Sequence, residues 1–354
     1  MKQLMCLLFA TAIFSVSSST ACTTFFLQKN GQYVFGKNYD WMSGTGMVNT
    51  NLKGLFKSSL PLEGGNALSW TSKYGSTTFN QYGKEFPNGG MNETGLVVEL
   101  MWLSESEYPE KDNRPGFSVL QWIQYQLDNC STVDEVVATD KIIRITSTGT
   151  PQHYLVADSK GNVATIELLN GKMVVHRGGD LPYPVLANST YSASVAAIKA
   201  RTNVAADNSL SRFSRACRMV ENYQSTNVNK PLIDYSFDIL QAVAQPGFTR
   251  WSIVYDISNK KVYFKTSSNQ QKKFFSLNDF NYSCPATALS YNMNQNSSGD
   301  ISKSFTQFSN VQNTKMLKQA FIETGMAVNI KEELQNSLGE FAAAVACSNQ
   351  GTQN

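Results

Sequence analysis

Histidine is nearly absent: His153 and His176 are the only two in 354 residues. A Ser-His-Asp triad would have to draw on this pair, and both sit in strand-like stretches that read as structural. No His-Glu-x-x-His, paired Cys-x-x-Cys or glycine-lysine phosphate loop appears, so zinc and P-loop chemistry find no ligand set. Nothing in the pattern calls for a metal or an organic cofactor. Charge is also sparse, at 16% of residues with a formal net charge of +3. Without a basic run, nucleic acid is not an expected partner. No repeat period is visible. No apolar run approaches the ~20 residues that a membrane-spanning helix needs.

The sequence does contain material for a large core, 42% of it hydrophobic. It also opens like an export signal. Lys2 is the only charge before Cys22, Leu4 to Val16 is apolar, and Ser17, Ser18, Ser19, Thr20 and Ala21 are small. Cleavage after Ala21 would place the protein in the periplasm or the outside medium, with Cys22 first. The division expected is therefore a removed signal over 1–21 and one domain over 22–354. Cys6 leaves with the signal. Cys130, Cys217, Cys284 and Cys347 remain, enough for two disulfides in any of three pairings, or for four buried thiols.

Pattern places most secondary elements. Thr23 to Gln28 and Gln32 to Gly36 read as strands joined at Asn30-Gly31, a strong hairpin signal. Further strands are expected at 96–103, 153–157, 163–168, 172–176, 250–257 and 261–266. Helices are expected at 117–128, 132–137, around 210–220, 234–244, 315–324 and 331–346. The Asn- and Ser-rich stretch 294–313 reads as a mobile loop. Adjacent antiparallel strand pairs with helices grouped between them predict an α+β fold rather than a doubly wound parallel sheet.

Chemistry then falls to Cys22. As a first residue it carries a thiol (pKa ~8.5) beside an α-amine (pKa ~7.7–8). The amine can take the thiol proton, giving nucleophile and base without histidine. Position alone leaves two other readings open. One is a lipoprotein or binding protein tethered through an acylated Cys22, although Ser19 stands where such signals normally carry Leu. The other is chance.

The surrounding residues carry a resemblance. Cys22-Thr23-Thr24-Phe25, a hairpin, and then Gly36-Lys37-Asn38-Tyr39-Asp40-Trp41 resemble the start of the choloylglycine hydrolase family, which includes bile-salt hydrolases and penicillin V acylases. Gly90-Met91-Asn92-Glu93-Thr94-Gly95-Leu96, His153 to Asp158, Pro184 to Asn188 and Ser211-Arg212-Phe213 are similar to later family segments, in the family's order. The resemblance implies an N-terminal-nucleophile fold: two stacked antiparallel sheets between helix layers. It implies cleavage of the linear amide bond of an N-acylated small molecule through a Cys22 thioester, or acyl transfer by the same fold. It also implies roles: Cys22 as nucleophile, Asp40 orienting its amine, Asn188 and the Trp102 backbone N–H holding the oxyanion, and Arg212 near the thiol. A homo-oligomer fits the family as well. Asn92 reads as a structural turn residue. Two positions depart from the family. Lys37 stands where arginine is common, keeping the charge and losing the planar fork. Trp102 stands where Asn or Tyr is usual.

Overall fold

The computed structural model describes residues 22–348 apart from 64, 66, 201–207 and 227. The export signal and its cut after Ala21, and the last residues to 354, lie outside the described residues. Thr23–Lys29 and Gln32–Asp40 form the anticipated hairpin. Asn30 and Gly31 both adopt positive φ, 51° and 76°, as a two-residue turn between twisted strands requires.

The hairpin lies in a seven-stranded sheet. In spatial order its strands are Val185–Leu186, Thr23–Lys29, Gln32–Asp40, Thr249–Asp256, Lys261–Thr266, Asn269–Ser276 and Gly299–Asp300. All pairs are antiparallel except the last. A nine-stranded antiparallel sheet stacks on it, with Gln152–Ala157, Val97–Trp102, Pro87–Asn92 and Ser76–Asn80 at its centre. Phe35, Phe79, Val97, Met101, Ile253, Tyr255 and Phe264 belong to the core that joins them. Alternation along each strand turns the next residues outward. Val98, Leu100, Tyr154 and Ile166 thus form a second core with Trp122 and Ile123 of the Val119–Asn129 helix. On the far side, Phe213 and Val220 of the Ser209–Ser225 helix and Leu240 of the Leu232–Ala242 helix join the first core. Helix, sheet, sheet and helix layers make the αββα sandwich that the resemblance implied.

Element ends shift by a few residues. Ser118 caps the first helix and Thr132 the second, each accepting a backbone N–H from three residues on, so both start just after a side chain that satisfies an orphan donor. One expectation is corrected. The stretch 294–313 is loop only in part: turns and irregular backbone alternate with short elements, Gly299–Asp300 pairs with Lys273 and Phe274, and a helix begins at Asn310. Ile301 and Phe305 are the reason. Both are buried, and Phe305 packs on Phe275, Phe280 and Tyr291. Two apolar anchors hold a segment whose average composition is polar. The last helix is also shorter than its pattern, Glu332–Glu340, after which Ala346–Cys347 pairs with Leu55 and Phe56.

Of the open cysteine pairings, Cys284–Cys347 forms a disulfide. Cys130 and Cys217 stay buried thiols, so one bridge forms rather than two. Among the described residues no helix is long and apolar enough to cross a membrane.

Candidate active site

Strand register builds the site. Thr23 pairs with Asn38, so Cys22 arrives beside Tyr39 and Asp40 at the end of the neighbouring strand. Cys22 is buried and not disulfide-bonded. Burial pushes its thiol above the usual range. Lys37, Arg212 and the Asp40 backbone N–H, which is directed at the sulfur, favour the thiolate, while the Asp40 carboxylate opposes it. Burial outweighs the cations, so the resting sulfur keeps its proton and needs a base beside it.

Asp40 is fully buried at the edge of that sulfur's surroundings. Its Oδ1 accepts from Thr249 Oγ1 at 2.6 Å, across the strand pair that sets Thr249 opposite Asp40. Oδ2 has no hydrogen-bond partner among the described residues. Burial accordingly lifts the carboxyl to about 7 despite Thr249, Arg212 and Lys37. A buried carboxylate with a bare oxygen suits a cation or strong donor arriving next to it.

Arg212 and Asn188 form the opposite wall. Arg212 is buried, and its Nη1 donates to the Cys22 carbonyl at 2.9 Å and to Thr23 Oγ1 at 2.7 Å. Nη2 donates to Asn188 Oδ1 at 3.0 Å. Because a guanidinium only donates, this contact fixes which end of the amide is oxygen. Asn188 Nδ2 is then free to donate to the Trp102 carbonyl at 2.7 Å, which leaves its second hydrogen over. The Leu103 N–H bonds to Pro151 O. By antiparallel alternation, Trp102 N–H and C=O therefore leave the other edge of their strand, beyond the point where pairing with Pro87–Asn92 stops at Gly89 opposite Glu99. Two donors, Asn188 Nδ2–H and Trp102 N–H, are thus brought to one place.

Lys37 is buried and held from the second sheet. Its Nζ donates to Leu100 O and lies 3.5 Å from Glu99 Oε2. Glu99 Oε1 accepts from Tyr255 Oη at 2.5 Å. Gly89 makes room for this carboxylate, since a Cβ there would sit 2.2 Å from its carbon. Burial raises Glu99 from 4.5 to about 7, with Lys37 and Tyr255 holding it back. A raised carboxyl binds its proton more tightly folded than unfolded. Its stabilising contribution is complete below 4.5 and lost as pH rises through about 7. Calorimetry should therefore show Tm falling from about pH 5 to pH 8, and Glu99→Gln should flatten that fall. An unchanged slope in the variant would assign the pH dependence elsewhere.

Trp102 is half-buried, with its ring centroid 6.1 Å from that of Trp41. Trp41 Nε1 donates to Tyr82 Oη at 2.7 Å, and Tyr82 stacks on Phe321 of the Asn310–Glu323 helix. Glu323 of that helix accepts from Ser43 and Thr45. The Asn310–Glu323 helix therefore supports the segment that carries Trp41. Asn92 spends its side chain on Leu127 O, Cys130 O and the N–H groups of Thr94 and Leu96, a turn assignment. Among the described residues no cluster of three or more His, Cys, Asp or Glu side chains could hold a metal. Cys22, Lys37, Asp40, Trp102, Asn188 and Arg212 are all brought together. Sequence reasoning did not find Thr249, Glu99, Tyr255 or Tyr82.

A family profile for linear amide C-N hydrolases of the choloylglycine hydrolase family matches residues 22–208. The chain belongs to that family. The chain is similar to a penicillin V acylase of Pectobacterium atrosepticum, 30% identical over 339 residues that cover 79% of this chain and 88% of that protein. The structure of penicillin V acylase from Agrobacterium tumefaciens superposes with a TM-score of 0.70 at 26% identity, over 81% of this chain and 98% of that one. A variant of conjugated bile acid hydrolase from Clostridium perfringens shares the fold, with a TM-score of 0.64 at 19% identity over 77% and 97% of the two chains. As a member of the choloylglycine hydrolase family, the chain is a hydrolase of linear amide C–N bonds.

Proposed function

We propose that this hydrolase is exported, loses residues 1–21, and cleaves N-acylated small molecules with Cys22 as nucleophile and its own freed α-amine as base. The observation that carries this reading is the buried, unpartnered Oδ2 of Asp40 beside Cys22. A new ammonium or amine at Cys22 supplies what that oxygen lacks. The Cys284–Cys347 disulfide supports export, since such bridges persist in oxidising compartments. A lipid tether on Cys22 fits poorly, because it would have to leave the interior.

In the proposed reaction the amine takes the thiol proton as sulfur bonds to the amide carbon. The carbonyl oxygen becomes an oxyanion between Asn188 Nδ2–H and Trp102 N–H; losing one such donor typically costs about 10²–10³ in rate. The ammonium gives its proton to the leaving nitrogen and the C–N bond breaks, leaving a thioester. Water, deprotonated by the same amine, then releases the acid and restores the thiol. Asp40 orients the amine. Arg212 holds the Cys22 carbonyl and Asn188 in one frame. Lys37 offsets the burial that opposes thiolate.

Trp41 and Trp102 suit a flat apolar acyl group. The relatives named for penicillin V, which carries a phenoxyacetyl amide, point the same way. The test is amine release by the processed chain across N-acyl amides with aryl, short aliphatic and long aliphatic acyl parts. Aryl acyl compounds, penicillin V among them, are expected to give the highest kcat/KM. Release from none of the panel rejects the hydrolase reading; a clear preference for aliphatic chains rejects the aryl pocket.

A further inference from the structure

His153, unused in the chemistry above, is fully buried on the Gln152–Ala157 strand, next to the Gln152–Trp102 pair. Its Nε2 lies 2.7 Å from the Ala187 carbonyl oxygen. A carbonyl only accepts, so Nε2 bears the hydrogen. Nδ1 lies 3.1 Å from Glu167 Oε1. That same oxygen accepts the Tyr191 N–H at 2.9 Å, and Glu167 is fully buried too. Ala187 and Tyr191 bracket Asn188. The turn carrying Asn188 is therefore gripped on one side by His153 and on the other by Glu167, while Ser209 Oγ takes the Asn188 N–H at 2.8 Å.

Burying such a pair costs free energy that apolar residues of similar size would not. Its contacts go to backbone groups on either side of one side chain, and that side chain bonds to Trp102 O. We infer that His153 is a positioning residue for acyl transfer: with Glu167 it fixes the backbone of 187–191 so that Asn188 Nδ2–H meets the developing oxyanion. This rests on the proposed role of Asn188. An interaction made in the transition state acts on kcat and leaves KM nearly unchanged.

Two variants of similar shape separate this role from a structural one. In His153→Gln the amide nitrogen reaches the position of Nε2 and can still donate to Ala187 O. In His153→Asn the shorter amide reaches only the position of Nδ1, facing Glu167. With the processed enzyme, His153→Asn is expected to lose about 10-fold or more in kcat at similar KM, the scale of a small misplacement in a site. His153→Gln should recover most of that loss. Carbamidomethylation of Cys22 by iodoacetamide, a displacement of iodide at a CH₂ carbon, builds no oxyanion, so both variants should be labelled at the wild-type rate. Equal kcat in the two variants overturns the inference, as does a fall in labelling that tracks the fall in turnover. Asn188→Ala separates the two levels. If it loses activity while His153→Asn does not, the inference alone fails; if Asn188→Ala turns over normally, the oxyanion reading fails with it.

Discussion

Cys22→Ser is expected to lose on the order of 10³-fold or more in turnover, while the chain keeps its fold. Oxygen fits the space of sulfur, and the residues around Cys22 keep their own contacts. Arg212 holds the Cys22 carbonyl rather than its side chain, and Thr249 holds Asp40. What changes is acidity. Burial already pushes the Cys22 thiol up, with Lys37 and Arg212 as partial compensation. A hydroxyl starts far less acidic in the same surroundings, and an α-amine of pKa ~7.7–8 is too weak a base to strip it. Amine release and thermal melting measured together check this. Unfolding of the variant would show a structural role for the thiol, and undiminished turnover would remove sulfur from the mechanism.

A second effect of comparable size is expected from a single extra residue before Cys22. The added residue turns the amine into an amide, whose nitrogen lone pair is delocalised and not basic. It also removes the ammonium that Asp40 Oδ2, bare and buried, is placed to receive. A chain whose leader ends in a protease site directly before Cys22 makes the comparison internal. It should be inactive as made, with a loss of about 10³-fold or more, and gain activity when trimmed. Unmodified Asp40, Asn188 and Arg212 are present in both forms, so only the terminus differs. Activity in the untrimmed chain would require another base.

Much of this was legible in the sequence because the hairpin is local. Asn30-Gly31 fixes the turn, the turn fixes the register, and the register puts Asp40 beside Cys22. The α+β class followed from paired strands, and the αββα layering from the family resemblance alone. Partners that come from distant strands were not legible. Thr249 meets Asp40 only because Thr249–Asp256 lies beside Gln32–Asp40 in the sheet, an order that no local pattern encodes. Glu99 left a trace, a carboxylate in an otherwise apolar strand, but its meaning depends on Lys37 and Tyr255 from the other sheet. The 294–313 segment was misread because composition averages hide two anchors, Ile301 and Phe305. Trp102 stood out in the sequence as a departure from the family, but its neighbour Trp41 is set by Tyr82 and Phe321, far away in sequence.

The most direct measurement is mass spectrometry of active enzyme quenched in acid during turnover, followed by mapping of the N-terminal peptide. The account predicts a chain that begins at Cys22, with the acyl group on its sulfur and an unmodified α-amine. Turnover by a chain that still carries residue 21, or an acyl group found on any other side chain, would contradict it.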